Sequence, residues 1–422
     1  MRAPPGAAEA ALDRLFAGLG GGAALGLAVS GGGDSMALLA LSAERAPPGL
    51  TLQAVTVDHG LRPEARDEAA QVAGLAARLG ISHTILTWDG AACRGNLQAA
   101  ARAARLRLIA DWARGHGIGD VALAHTLDDQ AETVLLRLAR GSGVDGLSGM
   151  ALRREARGIR WWRPFLDLPR ADLRAALQAR GIVWAEDQSN ADARFHRVRA
   201  RRALAALAPL GIDAAGLAAT ARRLQRARAA LEDQTARALA ELACDDRGTV
   251  LVDPAALDLL PEIRDRLFAD LLMRLTGAPH RPRLSALQRW TAQGGTLGGA
   301  RLLHAGRKLR IVREYRGVAG LSAPTDAAWD NRWHAIPPPG AEPAEIAALG
   351  PEGLRRLSRQ AADGRHPHWR ETGLPQAALI AAPAIWRGDD LVAAPVACWP
   401  AGWAFDVRPA AAPTDAGTIR IE

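Results

Sequence analysis

A short apolar run, Ala23-Ala24-Leu25-Gly26-Leu27-Ala28-Val29, leads without interruption into Ser30-Gly31-Gly32-Gly33-Asp34-Ser35. An apolar run of that length is a buried strand, and the residues from Ser35 to Glu44 have the pattern of a following helix. Three successive glycines between strand and helix free the backbone N–H groups to approach an anion closely, and the helix start adds its positive dipole end. Ser30 and Ser35 add hydroxyl donors. Asp34 would repel a phosphate unless a cation lies between them, which points to Mg²⁺. A Walker A loop is excluded, because the chain has a single lysine, in Gly306-Arg307-Lys308-Leu309. Gly141-Ser142-Gly143-Val144-Asp145-Gly146 has the spacing of a dinucleotide fingerprint but follows a helix, so it reads as a helix stop and loop.

The same alternation continues down the first half. Strands are expected at 52–57, 82–86 and 120–124, and helices at 64–79, 97–113 and 128–140. Such alternation implies a parallel sheet with helices on both faces, binding its ligand beyond the carboxyl ends of the strands. Beyond Pro169 the pattern is mainly helical, with a small β element over 298–316 and a Pro-rich stretch around Pro337-Pro338-Pro339-Gly340.

At 422 residues the chain suggests two to four domains at roughly 100–200 residues each. The expected boundaries are an α/β domain over 1–208, a mainly helical substrate-binding domain over 209–320, a linker over 321–345 and a small mixed domain over 346–422. Cys93, Cys244 and Cys398 are scattered without a CxxC pair, which disfavours a disulfide or zinc scaffold and fits a reducing cytoplasm. The uncharged run from Leu15 to Gly33 holds eight glycines and ends in the loop, so it is no membrane span. Glu9, Asp13 and Arg14 interrupt any signal-peptide apolar region. The net charge is +8, and residues 150–230 hold 17 Arg against 7 Asp and Glu, a local excess of +10 that suits a polyanion such as nucleic acid.

Further motifs follow the strands. Val57-Asp58-His59-Gly60-Leu61-Arg62 ends the second strand. Asn96-Leu97-Gln98-Ala99-Ala100-Ala101-Arg102 opens the third helix. Ala124-His125-Thr126-Leu127-Asp128-Asp129-Gln130-Ala131-Glu132-Thr133 follows the fourth strand. Arg163-Pro164-Phe165-Leu166, Asp187-Gln188-Ser189-Asn190 and Phe195-His196-Arg197-Val198-Arg199-Ala200-Arg201 come after. With the glycine loop, these residues resemble the N-type ATP pyrophosphatases, the PP-loop superfamily with an adenine nucleotide α-hydrolase-like fold. Within it the chain is similar to the tRNA(Ile)-lysidine synthases. The motifs cover about the first half of the chain.

The resemblance implies an ATP-dependent ligase that adenylates C2 of the wobble cytidine in the CAU anticodon of an isoleucine tRNA. Free L-lysine then displaces AMP. It implies ATP binding by Ser30, Gly31, Gly32, Gly33, Asp34 and Ser35, with Asp58 and His59 near base or ribose. It further implies Mg²⁺ at Asp34 and Asp129, and tRNA contacts from Arg194, Arg197, Arg199 and Arg201. Lysine is a cation that must lose a proton to attack, so an acidic pocket is expected from Asp128, Asp129 and Glu132. Each of these could instead bind metal or accept the proton, and Asp34 completes the catalytic set. Many relatives carry His where Thr126 stands, and His125 next door is the candidate substitute. A homodimer is one assembly open to such an enzyme, and no membrane partner is expected. The alternatives are a tRNA thiolase, whose usual paired cysteines are absent here, and a tRNA-binding protein that has lost catalysis.

Overall fold

The computed structural model describes residues 6–19, 24–60, 64–88, 97–186, 196–305, 307–408 and 419–421. It divides into two units, Met1–Ala229 and Ala230–Glu422.

In the first unit the strands β1 (Ala24–Ala28), β2 (Thr51–Asp58), β3 (Ser82–Thr87), β4 (Asp120–Leu123), β5 (Arg153–Ala156) and β6 (Ile159–Trp162) form one sheet in the order β3-β2-β1-β4-β6-β5. All pairings are parallel except that of β5 with β6. The helices are α1 (Ala7–Ala17), α2 (Gly33–Arg45), α3 (Glu64–Arg78), α4 (Leu97–Gly115), α5 (Leu127–Leu138), α6 (Val144–Leu147), α7 (Arg170–Ala179), α8 (His196–Leu207) and α9 (Ala214–Leu242), which runs across the unit boundary. They bury both sheet faces, as the strand–helix alternation predicts. One core joins Leu12, Met36, Leu39, Val72, Leu75, Phe165 and Leu173 to the Leu25 and Leu27 side of β1. The other packs Ile109, Trp112 and Ala113 of α4 on Val55, Val121 and Trp161. Gly26 makes the second core possible, since a Cβ there would lie 3.0 Å from the Trp112 ring.

The chain moves from β1 outward through β2 and β3, then crosses to β4 on the other side of β1. The loops after β1 and β4 therefore diverge and open a crevice at the carboxyl ends of the strands.

The second unit holds the five-stranded antiparallel sheet β7 (Ala243–Asp246), β8 (Thr249–Val252), β9 (Gly295–Leu297), β10 (Ala300–Ala305) and β11 (Lys308–Arg313). α10 (Pro261–Thr276) and α11 (Leu284–Gln293) share its core through Leu267, Phe268, Leu271 and Trp290. Two smaller sheets follow: β12 (Ser322–Pro324), β14 (Glu345–Ala348), β15 (Pro383–Arg387) and β16 (Asp390–Ala393), then β13 (Trp333–Ile336), β17 (Ala404–Val407) and β18 (Ile419–Ile421). α12 (Gly350–Ala362) and α13 (Gln376–Ile380) cover them. Residues 321–345, expected as a linker, carry β12 and β13 and bury Trp329 and Trp333. Pro and Gly content marks turns, and here those turns lie between short strands. No single helix among the described residues is long and apolar enough to cross a membrane.

Candidate active site

A cleft of about 520 Å³ lies in the first unit where β1, β2 and β4 end. Its floor is the glycine loop. Gly31 has φ +87°, and a Cβ there would meet Glu68 at 3.1 Å, so glycine is required on both counts. The Ser35 hydroxyl donates to the Gly32 carbonyl at 2.8 Å and its oxygen accepts from the Ser30 amide at 3.1 Å. Ser35 thus closes the loop on itself, while Ser30, Gly32, Gly33 and Asp34 also line the cleft. Thr56 of β2 steadies the loop's entry by donating to the Val29 carbonyl at 2.8 Å. Asp58 and His59 line the wall beyond β2. Asp58 accepts from the Gly60 amide at 2.8 Å, and His59 packs edge-on against Trp88 with ring centroids 5.6 Å apart. Burial, with Arg105 nearby, holds the His59 imidazole below its usual range.

The four expected catalytic carboxylates converge, and an arginine that the motif reading did not single out joins three of them. Arg170, the first residue of α7, donates Nε to Asp34 Oδ2 at 2.8 Å and Nη2 to Asp129 Oδ1 at 3.3 Å. Its backbone amide donates to Asp128 Oδ2 at 2.8 Å. Asp129 does two things at once. Its Oδ2 accepts from the Thr126 amide at 2.9 Å, completing a capping box at the start of α5, while Oδ1 faces the arginines. Thr126, fully buried, is therefore a helix cap, and His125 lines the cleft. Glu132, one turn on and 1% exposed, accepts from Arg201 Nε at 2.5 Å. Arg197 reaches Asp129 Oδ1 at 3.9 Å.

The pocket is thus less openly acidic than three carboxylates in five residues suggest. Asp129 and Glu132 are paired with Arg170, Arg197 and Arg201, three of the arginines that line the cleft. Burial raises the Asp34 carboxyl above its ordinary range, with Arg170 offsetting part of the rise. Burial raises Glu132 likewise, against Arg201. For Asp129 burial also pushes upward, but Arg170 above all and the Thr126 N–H outweigh it and the carboxyl ends low. Burial pushes His125 down to about 3, which leaves a neutral imidazole. Asp34 Oδ1 and Glu132 Oε2 are buried without a hydrogen-bond partner, so each has an acceptor to offer a ligand.

The expected tRNA arginines divide. Arg197 and Arg201, four apart on α8, turn into the cleft. Arg199 is exposed and donates to His196 Nδ1 at 2.7 Å. Arg194 lies outside the described residues, as do Asn96 and residues 187–190. A signal for Arg170 does exist in the sequence. It is a cation in the first turn of a helix, where the dipole disfavours it, so some anion must hold it there.

A model of the PP-loop domain matches residues 7–208. A tRNA(Ile)-lysidine synthase of Ruegeria pomeroyi is 46% identical over 91% of this chain and 91% of its own. Enzymes of the same name from a Methylobacterium sp. and from Methylobacterium nodulans are 45% and 47% identical, covering 72% and 73% of this chain and 94% and 96% of theirs. With a PP-loop cleft, a carboxylate cluster and this similarity along most of its length, the chain belongs to the tRNA(Ile)-lysidine synthase family of ligases.

Proposed function

We propose that the protein joins lysine to C2 of the wobble cytidine in the CAU anticodon of an isoleucine tRNA, acting in the cytoplasm. The carrying observation is that Asp34 of the glycine loop shares Arg170 with Asp129, and that Arg170 and Arg201, which hold Asp129 and Glu132, line the same cleft as the loop. In the first step the C2 carbonyl oxygen attacks the α-phosphorus of ATP, and the bond to the β-phosphate oxygen breaks. Pyrophosphate leaves with the electron pair. In the second step the lysine ε-amine, having lost a proton, adds to C2 and AMP departs.

Phosphoryl chemistry of this kind needs placement and charge neutralisation more than covalent help. The N–H groups of the loop and the start of α2 suit the phosphates. Asp34 and Asp129 fit a Mg²⁺ ion, since Arg170 already bridges them as a cation and the second oxygen of Asp34 is unpartnered. When bound, Mg²⁺ would share its coordination with phosphate oxygens and neutralise their charge. Among the described residues no group of three or more His, Cys, Asp or Glu could hold a metal alone. Glu132, whose second oxygen is buried without a hydrogen-bond partner, would take the lysine ammonium or its proton. Arg199 and the described arginines beyond it suit the tRNA backbone.

Incubation with ATP should release pyrophosphate only when the tRNA is present, and AMP only when lysine is added as well. Nucleotide binding without tRNA-dependent pyrophosphate release would favour a tRNA-binding protein without catalysis.

A further inference from the structure

Beyond the glycine loop, a second wall faces the same part of the cleft, formed by residues 182–186 and the outer side of α7. The Ala185 amide donates to the Gly31 carbonyl at 3.1 Å, and Ala185 bridges Gly32 in parallel. Trp184 is packed so tightly on the loop that a Cβ at Gly33 would lie 3.3 Å from its indole. Over this ring sits the Arg174 guanidinium, 5.9 Å from the centroid. Arg174 lines the cleft and contributes positive charge at Asp34. Among the described residues its one ion pair is a 3.3 Å contact with Glu186, whose side chain is 73% exposed. Its Nε is buried and has no hydrogen-bond partner.

A guanidinium with a buried, unmade donor is costly unless an anion completes it. Arg170 differs in this respect, since its charge is already shared by two carboxylates. We propose that Arg174 is a binding residue for the β- and γ-phosphates of ATP and for the pyrophosphate they become, and that Trp184 is the residue positioning it. The guanidinium forks onto phosphate oxygens opposite the N–H groups of the glycine loop, so the leaving group is held from two sides. Stacking on the indole keeps the fork oriented while the phosphates are absent. The assignment rests on the reading of the cleft as an ATP site.

The test uses the full chain, with Mg²⁺·ATP and inorganic pyrophosphate as probes in calorimetry and steady-state kinetics. Arg174→Ala should weaken pyrophosphate binding and raise the KM for ATP on the order of tenfold, the loss of one charge-assisted contact. The KM for lysine should stay unchanged. Arg174→Lys, which keeps charge but not the fork, should recover only part of the loss. Trp184→Leu should show a smaller defect of the same kind, and Trp184→Phe should retain most of the wild-type affinity. If wild type binds pyrophosphate and a folded Arg174→Ala binds it equally well, the assignment is overturned. If wild type binds neither probe, the ATP reading itself fails, which is a distinct result. A Trp184→Leu variant with wild-type constants would remove the positioning role.

Discussion

Asp34 is held from one side only. Arg170 engages Oδ2, while Oδ1 faces its surroundings without a partner. A loop carboxylate in that state contributes little to a core, so Asp34→Ala should fold normally. It should lose tRNA-dependent pyrophosphate release on the order of 100-fold or more, the scale seen when one preorganised charge-stabilising group is removed. Circular dichroism together with a pyrophosphate assay checks both halves. Asp129 and Glu132 separate by their partners. Asp129 shares Arg170 with Asp34, so Asp129→Asn should raise the KM for ATP, with partial rescue by high Mg²⁺. Glu132 is hydrogen-bonded to Arg201 rather than to Arg170, so Glu132→Gln should raise the KM for lysine about tenfold and change that for ATP far less. Kinetics showing the reverse assignment would exchange the two roles.

At the scale of elements, α8 presents two different faces. Arg197 and Arg201 are drawn into the cleft by Asp129 and Glu132, while Arg199 points outward. Arg199→Ala should therefore lower the slope of log K for tRNA against log salt by about one and leave ATP constants unchanged. An unchanged slope would place that face away from the nucleic acid. On the opposite side, Arg180 of α7's end clasps Glu44 of α2 with two hydrogen bonds of 2.7 Å. That contact holds the Glu44 carboxyl below its ordinary 4.5. Because the folded value is depressed, the contribution is present above 4.5 and is lost as pH falls through the folded value. Glu44 is exposed and Arg180 partly so, so the contribution is about 0.5 kcal/mol. Glu44→Gln should lose this stability at neutral pH and match wild type in acid, as urea titrations at the two pH values would measure.

The first four strands of the first unit and the helices between them were legible because buried parallel strands read as apolar runs, and helices 64–78 and 97–115 repeat every three to four residues, whereas α1, α6 and the β5–β6 pair were not read. The loop Ser30–Ser35 was legible because its chemistry is local. Arg170 left only the trace of a cation in a helix's first turn and Arg174 none, since the Asp34 they face lies more than a hundred positions away. Thr126 illustrates the same limit. Its burial and its bond to Asp129 make it a cap, a role that motif comparison alone did not assign. Around β12 and β13 the composition signalled turns but carried too little periodicity to announce strands of three and four residues.

For the whole molecule, the charge has a division of labour. The excess of +10 over residues 150–230 is partly consumed inside the cleft, where Arg170 and Arg201 pair with Asp34, Asp129 and Glu132. Others, including Arg199 and Arg222, are exposed and suit a polyanion. A single chain thus carries the nucleotide cleft and the basic surface that a tRNA ligase needs. The most direct measurement is mass analysis of nucleosides from a CAU-anticodon isoleucine tRNA incubated with the protein, ATP, Mg²⁺ and lysine. The account predicts that the wobble cytidine gains the mass of lysine less one water, only when ATP and lysine are both present and not with Asp34→Ala. An unmodified cytidine with folded wild-type protein and intact tRNA would contradict it.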